Sequence, residues 1–145
     1  MKVIVESWNP EFRHLIQKVR RTALKLGRLL GLKSAYVEIY LVGDSFMKKN
    51  VLSFPAPKNF PRPDIGKKYK HLGEIYLNPD YIRKEGSNFE FRLPAGQAGI
   101  SDFPAKLSYM LIHGFLHLLG YDHVNKNDRI IMEKKENQLL KLSSN

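Results

Sequence analysis

Leu111-Ile112-His113-Gly114-Phe115-Leu116-His117-Leu118-Leu119-Gly120-Tyr121-Asp122-His123 is the stretch on which the reading of this chain turns. His113 and His117 are spaced so that on a helix they share one face, a turn from each other. Gly120 can end that helix in a left-handed conformation. The chain can then turn back, and His123 can reach the same point in space. Three imidazoles converging on one point make a metal site with an open fourth position, as in hydrolytic zinc enzymes.

A blander reading competes with this one, because a histidine on an apolar helix is commonly a core residue with a satisfied hydrogen bond. Here Leu111, Ile112, Phe115, Leu116, Leu118 and Leu119 cover every face except the one holding His113 and His117. A helix apolar all round is buried. Two unpaired imidazoles inside it are costly, and metal ligation removes that cost for both. The chain has no cysteine, which excludes thiolate ligands and disulfides. A three-histidine set without thiolate favours zinc.

The 145 residues, 43% of them hydrophobic, suit one domain over residues 1–145 with a sizeable core. Met1-Lys2-Val3-Ile4-Val5-Glu6-Ser7 is too short and polar for a signal peptide. No apolar run reaches the length of a membrane span. The expectation is a soluble, cytoplasmic protein without a membrane partner. The formal net charge is +10, from 24 Lys and Arg against 14 Asp and Glu. A chain this basic attracts polyanions, of which nucleic acid is the commonest; the alternative is solubility without a partner.

Along the chain, Val3 and Val5 alternate with polar neighbours as in a strand. Asn9-Pro10-Glu11 is a helix start, and Phe12, Leu15, Ile16, Val19, Ala23, Leu26 and Leu30 carry helical spacing to a C-cap at Gly31. Arg20, Arg21, Lys25 and Arg28 fall on its outer side, as a solvated face or an RNA contact. Ala35 to Val42 reads as a second strand, Ser45 to Lys49 as a short helical turn capped by Asp44, and Val51 to Phe54 as a strand stopped by Pro55. From Ala56 to Lys70 runs a proline-rich basic loop with Lys58, Arg62, Lys67, Lys68 and Lys70. Leu72 to Leu77 reads as a strand closed by Asn78-Pro79. Ile82 to Ser101 is the least readable segment, and Arg92–Gly99 within it lacks any period and reads as a mobile loop. Ser101-Asp102 caps the histidine helix, and Asn127-Asp128 starts a last helix with Ile130, Ile131, Met132, Leu139, Leu140 and Leu142 as apolar positions. The sum is an α+β fold: a small mixed sheet, a long helix packed on it, and a central metal-binding helix.

The histidine stretch, from His113 to His123, closely resembles the signature of the YbeY-type endoribonucleases, also called rRNA maturation factors. Val51-Leu52-Ser53-Phe54-Pro55 is similar to that family's central strand, Leu72-Gly73-Glu74-Ile75 to the following strand, usually Gly-Asp-Ile, and Met132 with Glu136 to its last-helix Met-x-x-x-Glu. The resemblance covers most of the chain and is weakest in 57–70 and 83–102. It implies a matrixin-like zinc hydrolase architecture and a zinc-dependent single-strand endoribonuclease. It further implies action in rRNA maturation near the 3′ end of the small-subunit rRNA, and in ribosome quality control. Its metal ligands map onto His113, His117 and His123, and its partners would be the ribosomal small subunit or assembly proteins.

The chain departs from that pattern before the central strand. The family usually has an Asn-x-x-Tyr-Arg element and then Thr-Asp; here Met47-Lys48-Lys49-Asn50 runs straight into Val51, and the arginine has no counterpart. Lys48 and Lys49 are the candidates to supply its positive charge beside His113, though lysine lacks the forked geometry of arginine on phosphate. Gly114 stands where a His-Glu-x-x-His peptidase has its glutamate, so the usual base of peptide hydrolysis is missing. Close approach by substrate or by another chain segment, or plain tight packing, would each explain that glycine. Asp122 reads as a turn residue or a partner of an imidazole. Glu74, Glu133 and Glu136 read as surface acids, and His14 and His71 as ordinary residues. Two further functions remain open: a ribosome-assembly binding factor with a structural zinc, and a metallopeptidase-like hydrolase.

Overall fold

The computed structural model describes residues 1–59, 62–84 and 103–143. Strand β1 (Lys2–Ser7) leads through a 3-10 turn (Pro10–Leu15) into helix α1 (Ile16–Leu29). Strands β2 (Ala35–Leu41), β3 (Val51–Pro55) and β4 (Lys70–Leu77) follow, then helices α2 (Pro79–Lys84), α3 (Phe103–Leu118) and α4 (Lys126–Ser143). The sheet order is β1-β2-β4-β3, with β1, β2 and β4 parallel and β3 antiparallel on the edge. The fold is the mixed α+β arrangement expected.

Alternation sets the sheet's two faces. Val3 and Val5 lie opposite Val37 and Ile39, and Ile39 and Leu41 opposite Ile75 and Leu77. All seven join Val19, Ala23 and Leu26 of α1 and Leu111, Phe115 and Leu116 of α3 in one buried core. Burying each large aliphatic side chain contributes about 1.5–3 kcal/mol relative to exposure. The opposite face carries Tyr40 and Tyr76, stacked with centroids 5.1 Å apart, beside the half-exposed Trp8 and Phe46. No helix among the described residues is long and apolar enough to cross a membrane.

Several local expectations change. Asn9 does cap, its side chain accepting from the Glu11 N–H, but the first turn is 3-10 before the α-helix begins. The segment 45–49 is a turn and a bend, without the expected helical turn. Asn78-Pro79 ends β4 and at once starts α2, the Asn78 side chain accepting from the Tyr81 N–H at 3.1 Å. The last helix is capped by Asn125, which accepts from the Asp128 N–H at 2.8 Å, two residues before the expected start. On that helix Ile130, Ile131 and Leu142 are exposed, while Met132, Glu136, Leu139 and Leu140 are buried. Gly31 closes α1 as expected: its N–H donates to the Arg28 carbonyl and that of Leu32 to the Gly27 carbonyl. The expected loop at 92–99 and cap at 101–102 lie outside the described residues.

Candidate metal centre

Helix α3 runs through the core, and His113 is buried on it. The helix ends as its sequence requires. Gly120 takes φ +97, its N–H donates to the His117 carbonyl, and the Tyr121 N–H donates to the Leu116 carbonyl. A residue with a Cβ is strained in that left-handed conformation. The Asp122 carboxylate then accepts from the His123 N–H at 2.7 Å, which makes Asp122 a turn residue. The turn brings the exposed His123 back over the helix. Ring centroids stand 4.5 Å apart for His113 and His117, 5.0 Å for His117 and His123, and 5.6 Å for His113 and His123. One nitrogen from each of the three lies within 4.8 Å of the others, so the group could hold a metal ion.

The second nitrogens decide how the first ones point. His113 Nδ1 is 2.9 Å from Glu136 Oε2, and His117 Nδ1 is 3.0 Å from the Tyr121 carbonyl oxygen. A carbonyl oxygen only accepts, and an ionised carboxylate only accepts. In the neutral rings each Nδ1 then carries the proton, and each Nε2 presents a lone pair. Those two Nε2 atoms face one another at 3.0 Å. Two lone pairs at that distance repel unless a cation or a proton lies between them. Burial first, then the neighbouring His113 and His123, hold the His117 imidazole below its ordinary pKa, which favours its neutral, ligating form. Two fixed tautomers, opposed lone pairs and no thiolate fit a borderline-soft divalent ion.

Glu136 was expected at the surface and is instead 2% exposed. Its carboxylate takes His113 on one side and the Tyr109 hydroxyl on the other. Burial, with Glu136 adding to it, raises the Tyr109 hydroxyl well above its ordinary pKa, so it stays a donor. The spacing Met132, Glu136, Leu139, Leu140 places this acid on the buried stripe of α4 and was the signal that could have found it.

A groove of about 1010 Å³ opens over the histidines. Lys48 and Lys49, both exposed, line it from the β3 side. Arg129 and Glu133 line it from α4; neither was singled out in the sequence as a groove residue. Gly114 lies against the sheet. A Cβ there would sit 3.0 Å from both Ser53 Oγ and Ile75 Cγ2, and Ser53 Oγ donates to the Gly114 carbonyl at 3.1 Å. Close approach by another chain segment explains this glycine. His71 stands apart from the centre, 3.0 Å from Glu38 Oε1, and His14 is exposed.

A family model described as Endoribonuclease YbeY matches residues 9–144. The chain is 37% identical over 95 residues to the Endoribonuclease YbeY of Rhizobium johnstonii, covering 63% of this chain and 46% of that protein. It is 36% identical over 107 residues to that of Buchnera aphidicola subsp. Acyrthosiphon pisum, covering 71% and 59%. The matches span about half the length of the first of these relatives. In fold, the chain is similar to a Thermotoga maritima protein whose structure was solved in solution, with a TM-score of 0.57, 20% identity and coverage of 97% and 88%.

Proposed function

The chain belongs to the YbeY endoribonuclease family, and from that premise we propose that residues 1–145 act as one zinc-dependent endoribonuclease domain on single-stranded RNA. His113, His117 and His123 hold the zinc. When bound, that ion supplies Lewis acidity toward water and toward a phosphoryl oxygen. The chain's own residues do the rest. Glu136 and the Tyr121 carbonyl hold two imidazoles in place and aim their Nε2 atoms into the site. Lys48, Lys49 and Arg129 attract the phosphodiester into the groove and hold its charge as it grows. The physiological substrate is rRNA near the 3′ end of the small-subunit species, in maturation and quality control. The small subunit or its assembly proteins are the partners, and the cytoplasm is the place.

The observation that carries this reading is the pair of Nε2 atoms facing one another at 3.0 Å with both Nδ1 atoms committed. Gly114, packed on Ser53 and Ile75, leaves no room for a peptidase glutamate. Incubation of the zinc-loaded chain with small-subunit rRNA and with casein, beside a His113→Ala, His117→Ala variant, is the test. RNA cleaved, casein intact and an inert variant are expected. A zinc-loaded wild type that cleaves no RNA above the variant overturns the nuclease. The short run from Met47 to Val51, lacking the family arginine, then favours a binding factor with a structural zinc.

A further inference from the structure

A second hollow, of about 600 Å³, opens on the other side of Pro55. Pro55 lines both it and the groove over the histidines, so the two adjoin at the end of the edge strand β3. Its walls come from 54–58, 62–66 and 69–74, stretches that the sequence keeps apart.

Most of the charge within it is already spent. Arg62 donates to Glu38 Oε1 at 3.0 Å and to Asp64 Oδ2 at 2.8 Å, and His71 Nε2 lies 3.0 Å from Glu38. Glu74 accepts from the Tyr76 hydroxyl at 2.9 Å and is the acid that lines the hollow. Lys58 and Lys70 are exposed there and make no ion pair among the described residues, and Lys67 and Lys68 stand just before β4. Two rings complete the walls. Phe54 is 51% exposed, and Tyr69 is partly buried with Lys68 Nζ 5.7 Å from its centroid. An exposed and a partly exposed ring beside lysines with no ion pair among the described residues offer what single-stranded nucleic acid needs: faces for bases and charges for phosphates.

We propose that this hollow is a nucleotide subsite for the same RNA strand, with a base stacked on Phe54 and Tyr69 and phosphates at Lys58 and Lys70. The strand crosses the end of β3 at Pro55 on its way to the histidine groove. The proposal rests on reading that groove as an RNA site, and it adds a second anchor that makes binding depend on strand length.

Fluorescence anisotropy of labelled oligoadenylates, from dinucleotide to dodecamer, on the zinc-loaded full chain tests it. Wild type should gain affinity with length. A Lys58→Ala, Lys70→Ala variant should lose about tenfold on the dodecamer. Its slope of log K against log salt should fall in magnitude by about 1.4, two phosphate contacts on a single strand. Tyr69→Ala should lose as much without changing the slope, and Tyr69→Phe should restore it. A lysine variant that keeps the full gain with length overturns the subsite, as does a Tyr69→Ala variant that binds like wild type. Free adenosine monophosphate that binds as tightly as the dodecamer overturns the strand path. A wild type that shows the length-dependent pattern but cleaves nothing supports the subsite and overturns the nuclease, so the two readings fail separately.

Discussion

The two hollows that meet at Pro55 are built in opposite ways. The floor of the histidine groove comes from one continuous stretch, His113 to His123; Glu136 and the Tyr121 carbonyl orient two of its rings, and the turn at Asp122 brings back the third. The second hollow is assembled from three separated stretches around a Glu38–Arg62–His71 cluster, and its free cations are exposed lysines. In the first, geometry is fixed by helix period and buried hydrogen bonds, so occupancy is coupled to folding. In the second, geometry depends on long-range strand pairing, and its ligand contacts are separable from the core.

The largest expected effect follows from that coupling. Removing zinc from wild type with a chelator should lower stability by about 3 kcal/mol when the free ion had stood near a hundredfold above its dissociation constant. His113→Ala or His117→Ala should already lack that increment and should not respond to the chelator. Elemental analysis with thermal melts, with and without chelator, reads both. Equal chelator responses in wild type and variants would place the stabilising ion somewhere other than on these histidines.

Next comes the support behind the ligands. Glu136→Ala leaves His113 Nδ1 and the Tyr109 hydroxyl without their shared acceptor in a buried site. Zinc affinity should fall about 10–100-fold. Glu136→Gln keeps an accepting oxygen and should lose less. Competition against a chromophoric chelator gives the ratio. If both variants bind zinc like wild type, the buried acid is a packing element and the tautomer of His113 is set by another group.

What the sequence made legible follows the same division between local and long-range causes. The three histidines, the strands and the stops at Gly31 and Gly120 are local patterns of period and turn chemistry, and each stands where expected. The errors have local causes too. In sequence Pro79 reads as a stop, yet proline suits the first turn of a helix, and Asn78 before it is a cap. Ile130 and Ile131 were read as core because they are apolar, but the core stripe of α4 runs through Glu136. An acid on a buried stripe breaks a hydrophobicity pattern, so only the spacing of Glu136 with Met132, Leu139 and Leu140 points to it, and its partners, His113 and Tyr109, lie on another helix. The second hollow had no continuous sequence signal beyond its lysines, because β4 must pair with both β2 and β3 before its walls meet.

A smaller effect is the pH dependence of the metal-free chain. The His117 imidazole titrates below its ordinary value in the folded state, chiefly through burial. The unfolded chain takes up that proton at about pH 6.5. Below that pH the unfolded state binds more protons at this position, so stability falls with falling pH until the folded state is protonated too. Melts in chelator between neutral and mildly acidic pH should show the decline, and it should be shallower in His117→Gln. A decline of the same steepness in the variant would assign it to other groups.

The smallest effect separates the two hollows most sharply. Lys58 and Lys70 are exposed, unpaired with any acid among the described residues, and outside the core. Surface substitutions of this kind change stability by no more than about 0.5 kcal/mol. Lys58→Ala with Lys70→Ala should therefore melt like wild type, keep its full zinc content, and respond to chelator as wild type does. The reason is structural: among the described residues the groups that hold the histidines are Glu136 on the His113 ring, the Tyr121 carbonyl on the His117 ring and the Asp122 carboxylate on the His123 backbone N–H, none of them these lysines. Differential scanning calorimetry and elemental analysis on the same preparation make the comparison. A variant that loses zinc or melts several degrees early would show that the basic loop supports the metal groove, and the two hollows would then be one cooperative unit.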